Sequence, residues 1–374
     1  MKSNYKKLGP YIRQVDVRNK DLSVTKLLGV SIEKKFIPSI ANTVGTDFKN
    51  YKIVRNKQFA YGPVTSRNGD KISVALLNEE SCIISSSYSV FEIVDLTKLI
   101  PEYLMLWFSR PEFDRYARYK SHGSVREIFD WEQMCSVELP IPPLGEQKRI
   151  VDEYNVITKR IALKKKINEN LIEQAKTYLR SIYGQKKFFK STTNLDKFCS
   201  SIVSGGTPNR AVYSYWDSND IPWLKNGEIK NNLILSTEEY ISKLGLSESS
   251  AKLVPTYTVN MAMYCVSDIS VALSCVPLST NQAVLNLSTD SFRKACFIYY
   301  LLMTFGNSIT SQANGSAQQN LSKEKVILFE FLSPILDDKA FNFFEINMRE
   351  RICIAKEIVS LNNVQTLLLS NLSY

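Results

Sequence analysis

Between Glu146 and Tyr183 the chain has neither proline nor glycine, and its apolar residues step by four and three: Ile150, Tyr154, Ile157, Ile161, then Leu171, Ala175, Tyr178 and Ile182. The same frame passes through Lys164 and Asn168, so eight of ten seam positions are apolar and the two in the middle are polar. That is the pattern of a coiled-coil helix with a register-setting interruption. At 1.5 Å per residue it would run about 57 Å. Pro140-Ile141-Pro142-Pro143 bars a helix from continuing upstream, and Gly184 ends it as a C′ residue. A second stripe follows Ser333-Pro334 through Ala340, Phe344, Asn347, Arg351, Ile354, Ile358, Leu361, Gln365, Leu368 and Leu372. Stripes of this length cannot stay in water. The economical solution is an antiparallel pair in which Ile150, Tyr154, Ile157, Ile161, Leu171 and Ile182 face Phe344, Ile354, Ile358, Leu361 and Leu368.

The segments before each stripe resemble each other. Ile72-Ser73-Val74-Ala75-Leu76 recurs letter for letter as Ile269-Ser270-Val271-Ala272-Leu273. Val90-Phe91-Glu92-Ile93 answers to Val284-Leu285-Asn286-Leu287, Tyr103–Phe108 to Tyr300–Phe305, and Gly123-Ser124 to Gly315-Ser316. Ile72–Leu76 and Cys82-Ile83-Ile84 read as buried strands between turn signals, and Tyr103–Phe108 as helix. The unit is a globular domain followed by a long helix, present twice. The expected organisation is α+β: a mixed domain over 1–145, a central helix over 146–184, a second mixed domain over 185–335 and a tail helix over 336–374.

Several chemistries lack their residues. At 374 residues, 44% hydrophobic and 22% charged, the composition is globular. Seven Cys without a Cys-x-x-Cys pair and a single His, His122, argue against a disulfide scaffold, a zinc cluster or a Ser-His triad. No Asn/Asp-Pro-Pro-aromatic loop is present to hold an adenine amino group, and Gly205-Gly206-Thr207 lacks the Lys of a phosphate loop. Asp21 with Glu33 and Lys35 has roughly a metal-nuclease spacing, so a metal-dependent nuclease stays as an alternative. The N-terminus carries no apolar leader, and the most apolar run, Ala295–Phe305, falls short of the ~20 residues of a membrane span. The expectation is a cytoplasmic, non-catalytic chain without membrane or metal.

The net charge is +10, and between Glu146 and Lys190 twelve Lys/Arg face five Asp/Glu. Lys164, Lys165, Lys166, Lys186 and Lys187 are candidates for phosphate contacts, which position a duplex without specifying its sequence. Base readers should be Arg, Asn, Gln or Ser on loops that reach a groove edge. Four loops supply them: Ser66-Arg67-Asn68, Gly123-Ser124-Val125-Arg126, Lys225-Asn226-Gly227, and Gly315-Ser316-Ala317-Gln318-Gln319-Asn320. The other reading of the stripes is a coiled-coil scaffold that never touches DNA.

Three motifs carry a family resemblance over essentially the whole chain. The first is Gly123-Ser124-Val125-Arg126 and Trp131 running into Leu139-Pro140-Ile141-Pro142-Pro143-Leu144-Gly145-Glu146-Gln147. The second is Gly206-Thr207-Pro208, Tyr215-Trp216, Asp220-Ile221-Pro222-Trp223-Leu224 and Gly227-Glu228-Ile229. The third is Gly315-Ser316-Ala317-Gln318-Gln319-Asn320-Leu321-Ser322. Together they resemble the specificity subunits of type I restriction-modification systems. The second boundary departs from the pattern, with Phe331-Leu332-Ser333-Pro334-Ile335 and no Glu-Gln behind it. The resemblance implies two target-recognition domains, each reading half of a bipartite, asymmetric site in double-stranded DNA, with the helix pair setting the gap. It implies two modification subunits that bring S-adenosylmethionine for adenine N6 methylation. Two restriction subunits using ATP and Mg would be further partners.

Overall fold

The computed structural model describes residues 5–39, 45–66, 68–123, 127–264, 268–310, 321–337 and 339–372. The chain forms two compact units, residues 1–160 with 361–374 and residues 161–360.

In the first unit, six strands matter for the site: β1 (Tyr5–Lys7), β2 (Ile12–Val15), β3 (Phe59–Tyr61), β4 (Val74–Leu76), β5 (Ser89–Ile93) and β6 (Glu138–Pro140). β2, β5, β3 and β4 lie side by side in that order, all antiparallel, and β1 pairs with β6. Side chains alternate across the sheet. Phe59, Tyr61 and Phe91 therefore enter one core with Phe108, Phe113 and Phe129, while Ala60, Ala75 and Val90 enter another with Val54 and Ile84. Phe59 and Phe91 stack at 4.8 Å. Helices α1 (Pro101–Phe108) and α2 (Pro111–Lys120) each begin on a proline, whose missing N–H costs nothing in the first turn. Gln147, fully buried, donates to the carbonyls of Lys98 and Pro142 (both 2.8 Å) and accepts from Ile100 N–H (3.0 Å). It ties the start of the central helix, Leu144–Ile182, to the start of α1.

The second unit repeats this plan. Among its strands are β7 (Phe189–Asn194), β8 (Ser201–Ser204), β9 (Asn232–Ile234), β10 (Val259–Ala262), β11 (Val271–Ser274), β12 (Val284–Ser288) and β13 (Glu330–Pro334). The order β8-β12-β10-β11 matches β2-β5-β3-β4, with β9 added parallel at the edge, and β7 pairs with β13 as β1 does with β6. The duplicated Ile-Ser-Val-Ala-Leu block falls on β4 and β11. Helix α3 (Phe292–Phe305) is buried at every residue from Ala295 to Leu302. That continuous apolar run serves two contacts at once: it shares one core with the sheet and with Ala175, Leu179, Ile182, Phe341, Phe344 and Met348 of the long helices and their entry.

The tail helix spans Asn342–Asn371. It starts later than residue 336 because Pro334 is still paired with Phe189 in the sheet. All twenty seam positions of the two stripes are buried or half-buried. In the first unit Gln365 Nε2 donates to Thr158 Oγ1 (2.7 Å). In the second, Lys164 meets Glu357 (2.8 Å), Asn168 meets Arg351 (3.0 Å) and the Leu171 carbonyl meets Asn347 (3.0 Å). Partner numbers fall on one helix as they rise on the other, so the pair is an antiparallel coiled coil. By length and composition the tail helix could cross a membrane, yet its polar seam residues Asn347, Arg351 and Gln365 all hydrogen-bond to the central helix.

Candidate nucleic-acid interface

In the first unit two of the predicted loops spring from one place. Val64 bridges Ile128, Thr65 N–H donates to the Glu127 carbonyl (2.9 Å), and the Thr65 and Ser121 hydroxyls hydrogen-bond (2.9 Å). The ends of the β3–β4 connection and of the segment after α2 are thereby clamped together. Ser66 is exposed, and Asn68 is half-buried with its amide on the Val64 carbonyl (3.4 Å). Arg67, Ser124 and Arg126 lie outside the described residues. The same edge presents residues that sequence reasoning missed: Arg115, Tyr119 and Lys120 on α2 are exposed, Tyr119 by 82%. Their signal was an aromatic interleaved with cations at helical spacing. Arg118 is tied to Glu127, and His122 lies 3.5 Å from Asp130.

In the second unit the connection equivalent to β3–β4 is β10–β11, and the Lys225–Gly227 loop packs against it. Met263 N–H donates to the Ala283 carbonyl (3.0 Å), Asn281 N–H to the Leu224 carbonyl (3.0 Å), and Leu321 N–H to the Met263 carbonyl (2.9 Å). Asn226 is the brace of this cluster. Its Oδ1 accepts from Met263 N–H (3.0 Å) and Tyr264 N–H (3.4 Å), and its Nδ2 donates to the Tyr264 carbonyl (3.2 Å). Lys225 is held by Glu238 (2.7 Å) and Glu239 (3.1 Å), whose hydrogen bonds raise its pKa. Both side chains are therefore committed within the fold, and Tyr264 is the exposed residue that Asn226 presents. The repeat itself could have located this turn, because Tyr264 precedes the second Ile-Ser-Val-Ala-Leu block much as Ser66 precedes the first. Ser316, Gln318, Gln319 and Asn320 lie outside the described residues, but Leu321 just after them is anchored on Met263.

The Gly-Gly-Thr-Pro motif has a packing reason. A Cβ on Gly205 would collide with Thr280 and one on Gly206 with Ser250, while the Trp223 indole donates to the Gly206 carbonyl (3.0 Å). Thr207 hydrogen-bonds Gln282, and Arg210 lies over the Trp216 ring at 3.6 Å while pairing with Glu239 (2.5 Å).

Of the candidate phosphate contacts, Lys165, Lys166, Lys186 and Lys187 are exposed, with Lys187 also 4.5 Å above the Phe188 ring. Lys164 instead serves the helix seam through Glu357. Among the described residues no group of three or more His, Cys, Asp or Glu gathers as a metal site, and Glu33 pairs with Lys71 (2.9 Å).

Comparison with known proteins agrees with this duplicated plan. The family model of the type I restriction modification DNA specificity domain matches residues 2–173 and 191–341. The specificity subunit of the Escherichia coli type I restriction enzyme EcoR124I/EcoR124II is 21% identical over 267 residues, 67% of this chain and 63% of that subunit. The match thus spans less than two thirds of that relative's length. The crystal structure of a type-I restriction-modification system S subunit from M. genitalium superposes with a TM-score of 0.53 at 13% identity, over 98% of this chain and 95% of that one. The HsdS subunit from Thermoanaerobacter tengcongensis gives a TM-score of 0.39 at 15% identity, over 98% and 95%. With that family model matching two successive regions that together cover most of its length, the chain belongs to the family of type I restriction-modification DNA specificity proteins.

Proposed function

We propose that this chain is the DNA-reading subunit of a type I restriction-modification complex, with recognition domains over 1–145 and 185–335. Each domain reads one half of a bipartite, asymmetric site, and the helix pair sets the gap. The observation that carries this is the repeated loop cluster: in both units the connection between the two equivalent strands meets the segment that follows the long helical run. Such twin clusters of polar loops on rigid sheets suit base-edge readout, while Lys165, Lys166, Lys186 and Lys187 suit phosphate.

The long helices also carry apolar residues off the seam. Val156 (65% exposed) and Leu367 (61%) lie in the first unit, and Leu163 (62%) in the second. These fit docking of two modification subunits, which would supply S-adenosylmethionine and methylate adenine N6 after extruding it from the stack. Restriction subunits with ATP and Mg would complete the assembly, in the cytoplasm where the DNA lies. The test is co-expression with the modification subunit followed by sequencing of methylated adenines. A single two-part motif whose gap changes when the central helix is shortened is the expected result. A stable complex with no new motif, or no complex, contradicts the reading, the latter in favour of a scaffold.

A further inference from the structure

Arg351 is fully buried, and the side chains that receive its guanidinium are all neutral. Nε donates to Asn168 Oδ1 (3.0 Å), Nη1 to Tyr300 Oη (3.1 Å) and Nη2 to Tyr299 Oη (3.1 Å). Tyr300 passes its own proton toward Asn347 Oδ1 (2.5 Å), Asn347 donates to the Leu171 carbonyl (3.0 Å), and Tyr299 donates to the Asn231 carbonyl (2.9 Å). Burial raises both phenols above their ordinary range, so they stay protonated. One network thus spans the central helix, the tail helix, α3 and the segment leading into β9. A buried charge satisfied only by neutral groups is a poor way to gain stability. It is a good way to specify one geometry, because a planar fork with three fixed acceptors admits one arrangement.

The second recognition domain also rests on the helices through the apolar core it shares with Ala175, Leu179, Ile182, Phe344 and Met348, close to where Ile182 runs into β7. Asn168 lies fourteen residues back along the helix from Ile182, roughly 21 Å. Apolar packing is non-directional, so that seat by itself admits a small tilt, whereas a directional tie further along the helix fixes the angle. Over an arm of roughly 20 Å, a tilt of about 10° displaces the far end by about 3.5 Å, which is one base-pair step. We infer that Arg351 is a positioning residue that fixes the angle of the second recognition domain on the helix pair and so holds the complex to one gap length. Its gap-length consequence rests on the DNA-reading function proposed above; the angle itself does not.

The experiment uses the full chain carrying Arg351→Met, with Asn168→Ala as a second variant that removes only the central-helix tie. Spin labels at Leu163→Cys and Tyr213→Cys, both in the second unit and well exposed, report the angle once reactive native thiols such as Cys353 are replaced. In parallel, each variant is co-expressed with the modification subunit and its methylated motifs are sequenced. The expected result is a broadened label–label distance distribution together with methylation of the same half-sites at two or more gap lengths. An unchanged distribution in a folded variant overturns the inference, as does a broadened one with a single unchanged gap. If the parent chain directs no methylation, the function fails, and the distance measurement alone decides the angle.

Discussion

The two units seat a similar domain on the same helix pair by opposite chemistry. In the first, Gln147 is neutral and satisfies three backbone groups at the helix entrance. In the second, the boundary has lost its Glu-Gln, and Arg351, deep in the tail helix, bonds side chains on α3 and the central helix. Backbone groups cannot be exchanged by mutation, so the polar part of the first seat depends on one residue. The second is distributed over Asn168, Tyr299, Tyr300, Asn347 and Arg351, and its failure depends on which partner is removed.

That asymmetry can be broken experimentally. The largest effect should come from Tyr299→Phe with Tyr300→Phe, which strips a buried guanidinium of two acceptors and should cost about 3–5 kcal/mol of unfolding free energy measured by urea titration. Gln147→Leu comes next, at roughly 3 kcal/mol, since three part-buried backbone groups lose a partner at about 1 kcal/mol each, the low end of that penalty. Arg351→Met should cost no more than about 1 kcal/mol, because Tyr300 keeps Asn347 and Tyr299 keeps Asn231. A loss as large as that of the double Phe variant would show that the guanidinium is a net stabiliser. Lys164→Met, which removes the half-exposed pair with Glu357, should cost less than about 1 kcal/mol and lose that effect in high salt. The smallest effect is acid-dependent. Glu345 is held below its ordinary 4.5 first by the hydrogen bond from Arg349 and also by that from Arg293. Its contribution is present above that value and is lost as pH falls through the lowered folded pKa. A Glu345→Gln chain should therefore show a shallower decline of melting temperature on acidification.

Much of this architecture was legible before any coordinates. The four-three stepping of both stripes picked out positions that are all at least half-buried, because helical periodicity is local and water penalises any exposed apolar face of that length. The duplicated Ile-Ser-Val-Ala-Leu block pointed to equivalent strands. The loops were less legible. Lys225 and Asn226 have the side chains of base readers, and only the fold revealed that one is held by two glutamates and the other braces Tyr264. Lys164 was legible both as a seam position and as part of a basic run, and only the fold revealed its partner, Glu357.

The sequence by itself determined the repeat, the helix pair and the family, since these follow from periodicity, punctuation and motifs that each span a few neighbouring residues. Only the tertiary structure decided which polar residues are spent inside and which remain available. That depends on partners far apart in the chain: Asn226 with Tyr264, Lys164 with Glu357, and Arg351 with Asn168, Tyr299 and Tyr300. A side chain's donors are the same wherever it sits, but whether they face water or a buried acceptor is set by what folding brings beside them.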